Sequence, residues 1–193
     1  MRSLMCGIIG YIGDKEAQPI LLNGLKRLEY RGYDSAGVCA LLHKQNTLAV
    51  RKLSGKVKQL ESLLMARPLS GSLSLGHVRW ATHGAPTKIN AHPHLDCKGE
   101  IALVHNGIIE NYATLKAQLI KEGHRFKSQT DTEVIVHLIE KFYRTTHSLE
   151  GAVRAALSKL EGSFAIGVIC KKEPEKLVGA RLGSPLIIGL GKQ

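Results

Sequence analysis

A β-hairpin predicted in the first third of the chain constrains the fold most. Two apolar, strand-like runs cover residues 35–42 and 47–53, and the polar residues 43–46 lie between them. A connection this short joins antiparallel strands. Further strand-like runs occur near both ends of the chain, and leucines at helical spacing lie between them. This order favours antiparallel sheets packed against helices, an α+β fold, over a repeated βαβ fold.

Turn and capping residues predict where individual elements begin and end. Asp14 is expected to cap the first helix, and Thr130 and Glu133 have the spacing of a capping box at the start of a later one. The apolar residues 101–104 predict a strand that ends at the triplet 105–107, His-Asn-Gly. The C-terminal part is expected to be rich in strands, at residues 163–170, 176–182 and 186–190.

The composition is typical of one globular domain, because 44% of the 193 residues are hydrophobic. The net charge of +11 is compatible with nucleic-acid binding, but the longest basic runs are pairs and aromatic residues make up only 5%. A solvated basic surface is therefore predicted instead of a nucleic-acid site. No apolar run approaches the ~20 residues of a membrane span, and residues 1–5 are too short for a secretory signal. A cytoplasmic location away from membranes is predicted.

The four cysteines, at positions 6, 39, 97 and 170, show no paired CxxC spacing. Neither a zinc ribbon nor a disulfide framework is therefore indicated. Cys39 and Cys170 lie in apolar, strand-like runs and are expected in the core. Cys97, between Asp96 and Lys98, is expected in a turn.

Cys6 is the cysteine whose position indicates chemistry. It follows Met5 and precedes Gly7 and a short apolar run, so it becomes the first residue if the preceding peptide is removed. A thiol and a free amine would then share one residue, and an α-amine that titrates near pH ~8 can take the thiol's proton. The alternative is a small buried side chain at the start of a strand.

Further polar residues lie where predicted strands become loops, which is where catalytic groups concentrate, and Asp131 lies at a predicted helix start. Arg79 can bind a carboxylate through two parallel hydrogen bonds, and Asp131 can hold an ammonium group. Asn106 and the Gly107 amide together can donate to an oxyanion. Each has a structural alternative: a surface ion pair for Arg79, a tight turn for Asn106 and Gly107, and a helix cap for Asp131.

Histidines in or beside these loops raise the question of a metal site. Neither an HExxH helix nor a carboxylate at a recognised spacing accompanies them, so hydrogen bonds that hold the loops are the preferred interpretation and no metal is predicted. The five histidines are His77, His83, His92, His94 and His105.

Several strings together resemble the N-terminal glutaminase domain of the glutamine–fructose-6-phosphate aminotransferases, which are class II glutamine amidotransferases. The resemblance covers the chain from about Met5 to its last residues. The segment from Tyr30 to Ser35, Trp80, and the segment from Thr130 to Glu133 favour this family over phosphoribosyl-pyrophosphate amidotransferase or asparagine synthetase. The strings are CGIIGYIG, LEYRGYDSAG, GHVRWATHGAP, NAHPH, VHNGIIENY and SQTDTEVI.

The resemblance implies a fold and a set of roles. The fold would be the four-layer αββα sandwich of the N-terminal-nucleophile (Ntn) hydrolases. Cys6 would attack glutamine, with its own α-amine as base and with Asn106 and Gly107 as the oxyanion hole. The product would be glutamate and ammonia, formed through a γ-glutamyl thioester without a metal or organic cofactor. The implied substrate-binding residues are Arg79, Trp80, Thr82, His83, Asp131 and Arg31.

The chain departs from that family in two ways. Family members begin at the cysteine, whereas residues 1–5 precede it here. These residues are interpreted as a leader or a mis-assigned start, and residues 6–193 as the glutaminase domain. The sugar-phosphate isomerase half is absent; in the full-length enzyme, expected to be a homodimer, it would use the ammonia to make glucosamine 6-phosphate from fructose 6-phosphate. The alternative function is a catalytically silent glutamine-sensing module.

Overall fold

The structure, a computed structural model, describes residues 6–31, 34–80 and 84–191, with the side chain of Arg31 outside that description. Eight strands and five α-helices are assigned within these ranges. In chain order they are β1 (Gly7–Ile12), α1 (Ala17–Leu28), β2 (Ser35–Leu42), β3 (Thr47–Ser54), α2 (Val57–Ala66), β4 (Leu73–Arg79), β5 (His94–Leu95), β6 (Ile101–Ile109), α3 (Tyr112–Lys121), α4 (Thr132–Thr146), α5 (Leu149–Leu157), β7 (Gly162–Cys170) and β8 (Glu173–Leu182).

The strands form two four-stranded antiparallel sheets. The first has the order β1-β4-β2-β3 and the second β5-β6-β7-β8. The predicted hairpin is confirmed, because β2 pairs with β3 from Ser35 opposite Ser54 to Leu42 opposite Thr47. Short connections account for the antiparallel pairing of β2 with β3, β5 with β6 and β7 with β8, whereas the other pairs join strands that are distant in the sequence.

Three apolar clusters hold four layers together. Helices α1 and α2 bury Leu21, Leu25 and Leu60 against the first sheet. The two sheets face each other through a cluster that includes Leu75 and Ile169. The helices α3, α4 and α5 cover the outer face of the second sheet. The molecule is therefore the predicted α+β, four-layer αββα sandwich.

Two predicted helix caps are wrong. Helix α1 begins at Ala17 and Asp14 is not its cap. The capping box is wrong as well, because α4 begins at Thr132 and Asp131 makes no side-chain cap bond. The carboxylate of Glu133 instead accepts the backbone N–H groups of residues 127 and 128, at 2.8 and 2.6 Å. The side chain therefore satisfies the preceding loop rather than its own helix.

Two strand predictions also require correction. Strand β6 does not end before the triplet 105–107 but continues to Ile109, because β7 supplies pairing partners along its whole length. The predicted strand at 186–190 is wrong, since residues 184–191 are assigned no regular structure. Ile187 and Leu190 there are 91% and 95% exposed. An apolar sequence becomes a strand only beside another strand, and β8 ends before this segment.

The predicted positions of three cysteines, two in the core and one in a turn, are confirmed. Cys39 and Cys170 are fully buried, and Cys97 is exposed in a turn.

Among the described residues, no helix combines the length and the apolar character that crossing a membrane requires.

Candidate active site

A cavity of about 460 Å³ lies where the first sheet and the second sheet meet the start of α4. Strand β1 is antiparallel to β4, with Gly7 opposite Val78. The start of β1 and the end of β4 therefore lie side by side at one end of the first sheet. Six of the predicted site residues line this cavity: Cys6, Arg79, Trp80, Asn106, Gly107 and Asp131. Thr82 and His83 lie outside the described residues, as does the side chain of Arg31.

The thiol of Cys6 contacts the backbone at the end of β4. Its Sγ accepts the N–H of Trp80 at 3.1 Å and lies 3.4 Å from the carbonyl oxygen of the same residue. Burial raises the pKa of the Cys6 thiol, while the Trp80 N–H and the charge of Arg79 lower it in part. The thiol is therefore mainly protonated at neutral pH, and it needs a base before it can act as a nucleophile.

Asn106 connects the cysteine to a buried histidine. Its Nδ2 donates to the carbonyl oxygen of Cys6 at 3.1 Å, and its Oδ1 lies 2.9 Å from Nε2 of His77. The same Nε2 lies 3.0 Å from the carbonyl oxygen of His105. Both neighbours are acceptors, so this Nε2 carries the proton. That proton fixes the Asn106 amide with its donor side towards Cys6, and the second Nδ2 hydrogen remains for another acceptor.

His77 is the residue of this site whose role the sequence did not reveal. Burial lowers its pKa to about 3, so the ring is neutral and carries a single proton. In the sequence it stood out only as one of five histidines near loops. Its contact with Asn106 joins β4 of one sheet to β6 of the other, and spacing along the chain gives no sign of such a contact.

Gly107 has a backbone conformation that other residues rarely adopt, with φ of 125°. A Cβ atom at this position would collide with the carbonyl oxygen of Ser163 on β7. Glycine is thus required where the strand turns its backbone towards the cavity. The alternative prediction of a plain tight turn at Asn106 and Gly107 is wrong, since both residues pair with β7.

Two opposite charges lie in the walls of the cavity. Asp131 is buried, and its Oδ2 accepts the backbone N–H of Ile109 at 2.9 Å. Arg79 is also buried and donates from Nη2 to the carbonyl oxygen of Gly84 at 3.2 Å. The surface ion pair considered for Arg79 is wrong, because only 3% of the residue is exposed. One cation and one carboxylate in one cavity suit a zwitterionic amino acid.

The histidines beside the cavity make the predicted hydrogen bonds, but these bonds connect strands and loops to the start of α4 and do not only hold loops. His92 Nε2 and His105 Nδ1 each lie 2.9 Å from the hydroxyl of Thr132. His94 Nε2 lies 3.2 Å from the hydroxyl of Thr130. With the His77 contacts above, four of the five histidines are accounted for, and His83 lies outside the described residues.

These buried histidines predict a pH-dependent stability. Burial lowers the pKa of His77 to about 3 and the pKa of His92 and His94 well below 6.5. Protons therefore bind the unfolded chain near pH 6.5 but the folded chain only at much lower pH. The free energy of unfolding should fall as the pH is lowered from 7 to 5, by up to about 1.4 kcal/mol per pH unit for each histidine.

Urea unfolding at pH 7, 6 and 5 measures this slope, and His94→Gln should make it shallower by removing one of the protonating groups. Equal stability at pH 7 and pH 5 would contradict the assignment of neutral, buried rings.

Comparison with known proteins identifies relatives of the whole chain. It is 54% identical over 188 residues to glutamine–fructose-6-phosphate aminotransferase of Thermococcus kodakarensis, covering 97% of this chain and 31% of the relative. The same enzyme of Chlorobaculum tepidum is 55% identical over 195 residues, with coverages of 97% and 31%. The chain thus spans about a third of the length of these curated relatives.

Among solved structures, the chain is similar to glutamine phosphoribosylpyrophosphate amidotransferase from B. subtilis. The TM-score is 0.72 at 31% identity, over 85% of this chain and 35% of that one. A structure described as the allosteric regulatory enzyme of purine biosynthesis gives 0.73 at 32% identity, with the same coverages. These neighbours support the Ntn type of sandwich. The sequence profile of the glutamine amidotransferase domain matches residues 77–188. The chain belongs to the glutamine amidotransferase domain family.

Proposed function

We propose that this domain hydrolyses L-glutamine to glutamate and ammonia through a γ-glutamyl thioester on Cys6. One observation carries the proposal: a thiol, an amide donor, a cation and a carboxylate line a single cavity, in Cys6, Asn106, Arg79 and Asp131. Together they match the reacting amide, the α-carboxylate and the α-ammonium group of glutamine. A binding module alone has little need of the thiol and the amide donor beside it.

In the proposed reaction, a base takes the proton of Cys6 and the thiolate attacks the γ-carboxamide carbon of glutamine. The oxygen of the tetrahedral intermediate carries the negative charge, within reach of Asn106 Nδ2 and the Gly107 N–H. Collapse of the intermediate breaks the C–N bond, and the leaving nitrogen takes a proton and departs as ammonia. Water then attacks the thioester, which releases glutamate and restores the thiol.

The α-amine of Cys6 is the proposed base, because the thiol itself stays protonated at neutral pH. This role requires that Cys6 be the first residue of the active chain. Arg79 is proposed to bind the α-carboxylate and Asp131 the α-ammonium group. Trp80 is proposed to belong to a loop that closes over the substrate. Thr82, His83 and Arg31 complete the proposed binding set.

The start of the chain supplies the test of this function. A chain that begins at Cys6 should release ammonia from glutamine, whereas a chain that retains residues 1–5 should be at least about 100-fold slower, because its Cys6 nitrogen is an amide and cannot act as a base. Intact mass spectrometry verifies each start, and a coupled assay measures ammonia. Full turnover with Met1 retained would exclude the α-amine as base.

Replacing Asp131 by Asn should raise KM for glutamine about 10- to 100-fold while kcat changes much less. Asn keeps an oxygen that can accept the Ile109 N–H, but it loses the charge that pairs with the ammonium group. Steady-state kinetics separates the two constants. Asp14→Asn is the matched control, because that side chain is exposed and remote from the cavity. An unchanged KM in the Asp131 variant would remove this residue from the binding set.

The larger reaction is also a proposal, because the chain covers only about a third of its aminotransferase relatives. We propose residues 6–193 as the glutaminase domain of a longer, homodimeric enzyme whose sugar-phosphate isomerase domain uses the ammonia to form glucosamine 6-phosphate. On its own, a chain of residues 6–193 that begins at Cys6 should hydrolyse glutamine without converting fructose 6-phosphate. Detection of glucosamine 6-phosphate from this chain alone would contradict the proposal that a separate isomerase domain is needed to form it.

A further inference from the structure

Four side chains that commonly bind metals converge outside the active-site cavity. Cys97 lies in the turn after β5, His124 follows α3, and His137 and Glu140 are one turn apart on α4. One donor atom from each lies within 4.8 Å of all the others. Three separate segments therefore direct a sulfur, two nitrogens and an oxygen at one point.

Five of the six distances among the four donor atoms are close to the edges of a coordination tetrahedron. Zinc bonds of about 2.0 to 2.3 Å place neighbouring ligand atoms about 3.3 to 3.6 Å apart. Cys97 Sγ lies 3.8 Å from His124 Nδ1 and 3.5 Å from His137 Nδ1. The two Nδ1 atoms are 3.4 Å apart. Glu140 Oε2 lies 3.2 Å from His124 Nδ1 and 3.5 Å from His137 Nδ1.

Hydrogen bonds alone explain this packing poorly. The Cys97 thiol and the two Nδ1 atoms offer at most one proton each, whereas there are five close contacts among the four groups. Two histidine nitrogens that face each other cannot both be protonated without repulsion. A single cation at the centre satisfies all four groups together.

The surrounding groups are those expected around metal ligands. The other ring nitrogen of His137, Nε2, lies 3.7 Å from Glu133 Oε1, a charge contact that is too long for a hydrogen bond. Arg144 donates to Glu140 Oε1 at 3.0 Å, and Oε2, which faces the cluster, accepts the backbone N–H of Cys97 at 3.2 Å. The backbone N–H of Arg125 donates to Cys97 Sγ at 3.4 Å, as amides commonly do to a metal-bound thiolate. Such partners orient the ligands and raise their affinity for the metal.

We propose that Cys97, His124, His137 and Glu140 bind one Zn²⁺ ion in a closed, four-coordinate structural site. A mixed sulfur, nitrogen and oxygen set suits zinc, and protein atoms would fill all four positions. The ion would join the turn after β5 and the segment after α3 to helix α4. His137 lies six residues along α4 from Asp131, about 9 Å at the rise of a helix. The site would therefore stabilise the helix that presents Asp131 to the cavity.

This site goes beyond the proposed function and departs from the prediction that the chain binds no metal. That prediction weighed histidines near the active-site loops and treated Cys97 as an ordinary turn residue. The ligands come from three segments spread over 44 positions, 97 to 140, and only His137 and Glu140 share a helix. Their convergence becomes visible only in the fold.

Metal titration of the 193-residue chain tests the proposal. After treatment with a chelator, Co²⁺ should bind at one ion per chain with the absorption of a tetrahedral, thiolate-bound ion, and Zn²⁺ should displace it. Zn²⁺ should also raise the melting temperature. Cys97→Ser should abolish the thiolate-to-cobalt band and weaken Zn²⁺ binding by at least about 100-fold. Cys97 is exposed, so serine should not disturb the fold.

Two control variants make the outcome decisive. Cys6→Ala and the exposed His43→Gln should both keep the Co²⁺ spectrum and the stoichiometry, because neither residue belongs to the cluster. His124→Gln should weaken binding as Cys97→Ser does. The proposal would be overturned if Co²⁺ gave no tetrahedral spectrum, if Cys97→Ser bound Zn²⁺ as tightly as the original chain, or if Cys6→Ala removed the site.

Discussion

Replacing Cys6 by Ala should lower glutamine turnover by on the order of 10⁴-fold or more, which is the scale of loss when a hydrolase loses its covalent nucleophile. Water alone would then have to attack an unactivated amide. Glutamine affinity should change little, because the proposed binding charges of Arg79 and Asp131 remain. Ammonia release measures the turnover, and calorimetry measures binding to the same protein.

Cys6→Ser is the matched variant for this prediction. Its hydroxyl still offers an acceptor to the Trp80 N–H, so it restores the contact that Ala removes. If Cys6 acts as the nucleophile, serine should also be nearly inactive, since a hydroxyl with this base is far less nucleophilic than a thiol. Recovery of turnover by serine would mean that Cys6 only supports the Trp80 backbone.

Ammonia release and calorimetric binding of glutamine together also separate the enzyme from the glutamine-sensing alternative. An enzyme binds glutamine both as the original chain and as the Cys6→Ala variant, and it loses turnover only in the variant. A sensor would bind glutamine equally in both forms without turnover in either. The comparison needs a chain whose start at Cys6 has been verified by mass, because a retained leader would also silence an enzyme.

The fold was largely predictable because its main elements are encoded locally. A polar turn between two apolar runs specifies the β2 and β3 hairpin, and leucines at helical spacing specify α1 and α2. The errors occurred where a distant part of the chain decides the outcome. Strand β7 lengthens β6 beyond the expected end, and the apolar residues 186–190 lie beyond the end of β8 and form no strand.

The candidate site shows the same division between local and distant information. Cys6, Asn106 and Asp131 were identified because their residue types, at strand ends for the first two and at a helix start for Asp131, suggest chemistry. The part played by His77 required the structure, since it acts across two sheets on an amide 29 positions away. The hypothesis that Asp131 caps α4 was likewise settled by a distant contact, because its carboxylate accepts from Ile109 on β6.

Replacing Asn106 by Ala should reduce kcat for glutamine about 100- to 1000-fold, with a much smaller change in KM. The Nδ2 group would donate to the oxygen only as negative charge develops on it, so its loss affects the transition state more than the bound substrate. Steady-state kinetics tests the split between the two constants. Asn23→Ala, at an exposed position on α1, should leave both unchanged.

Asn106→Asp sharpens this test because it keeps the size of the side chain. One oxygen of its carboxylate can still accept the hydrogen bond from His77 Nε2. The other oxygen replaces the Nδ2 donor, so an acceptor with a negative charge faces the developing oxyanion. Its kcat should therefore be no higher than that of Asn106→Ala.

His77→Gln, which retains a donor for Asn106, should lose less activity than His77→Ala. If the Asn106 variants instead raised KM and kept kcat, Asn106 would bind the substrate without stabilising the oxyanion.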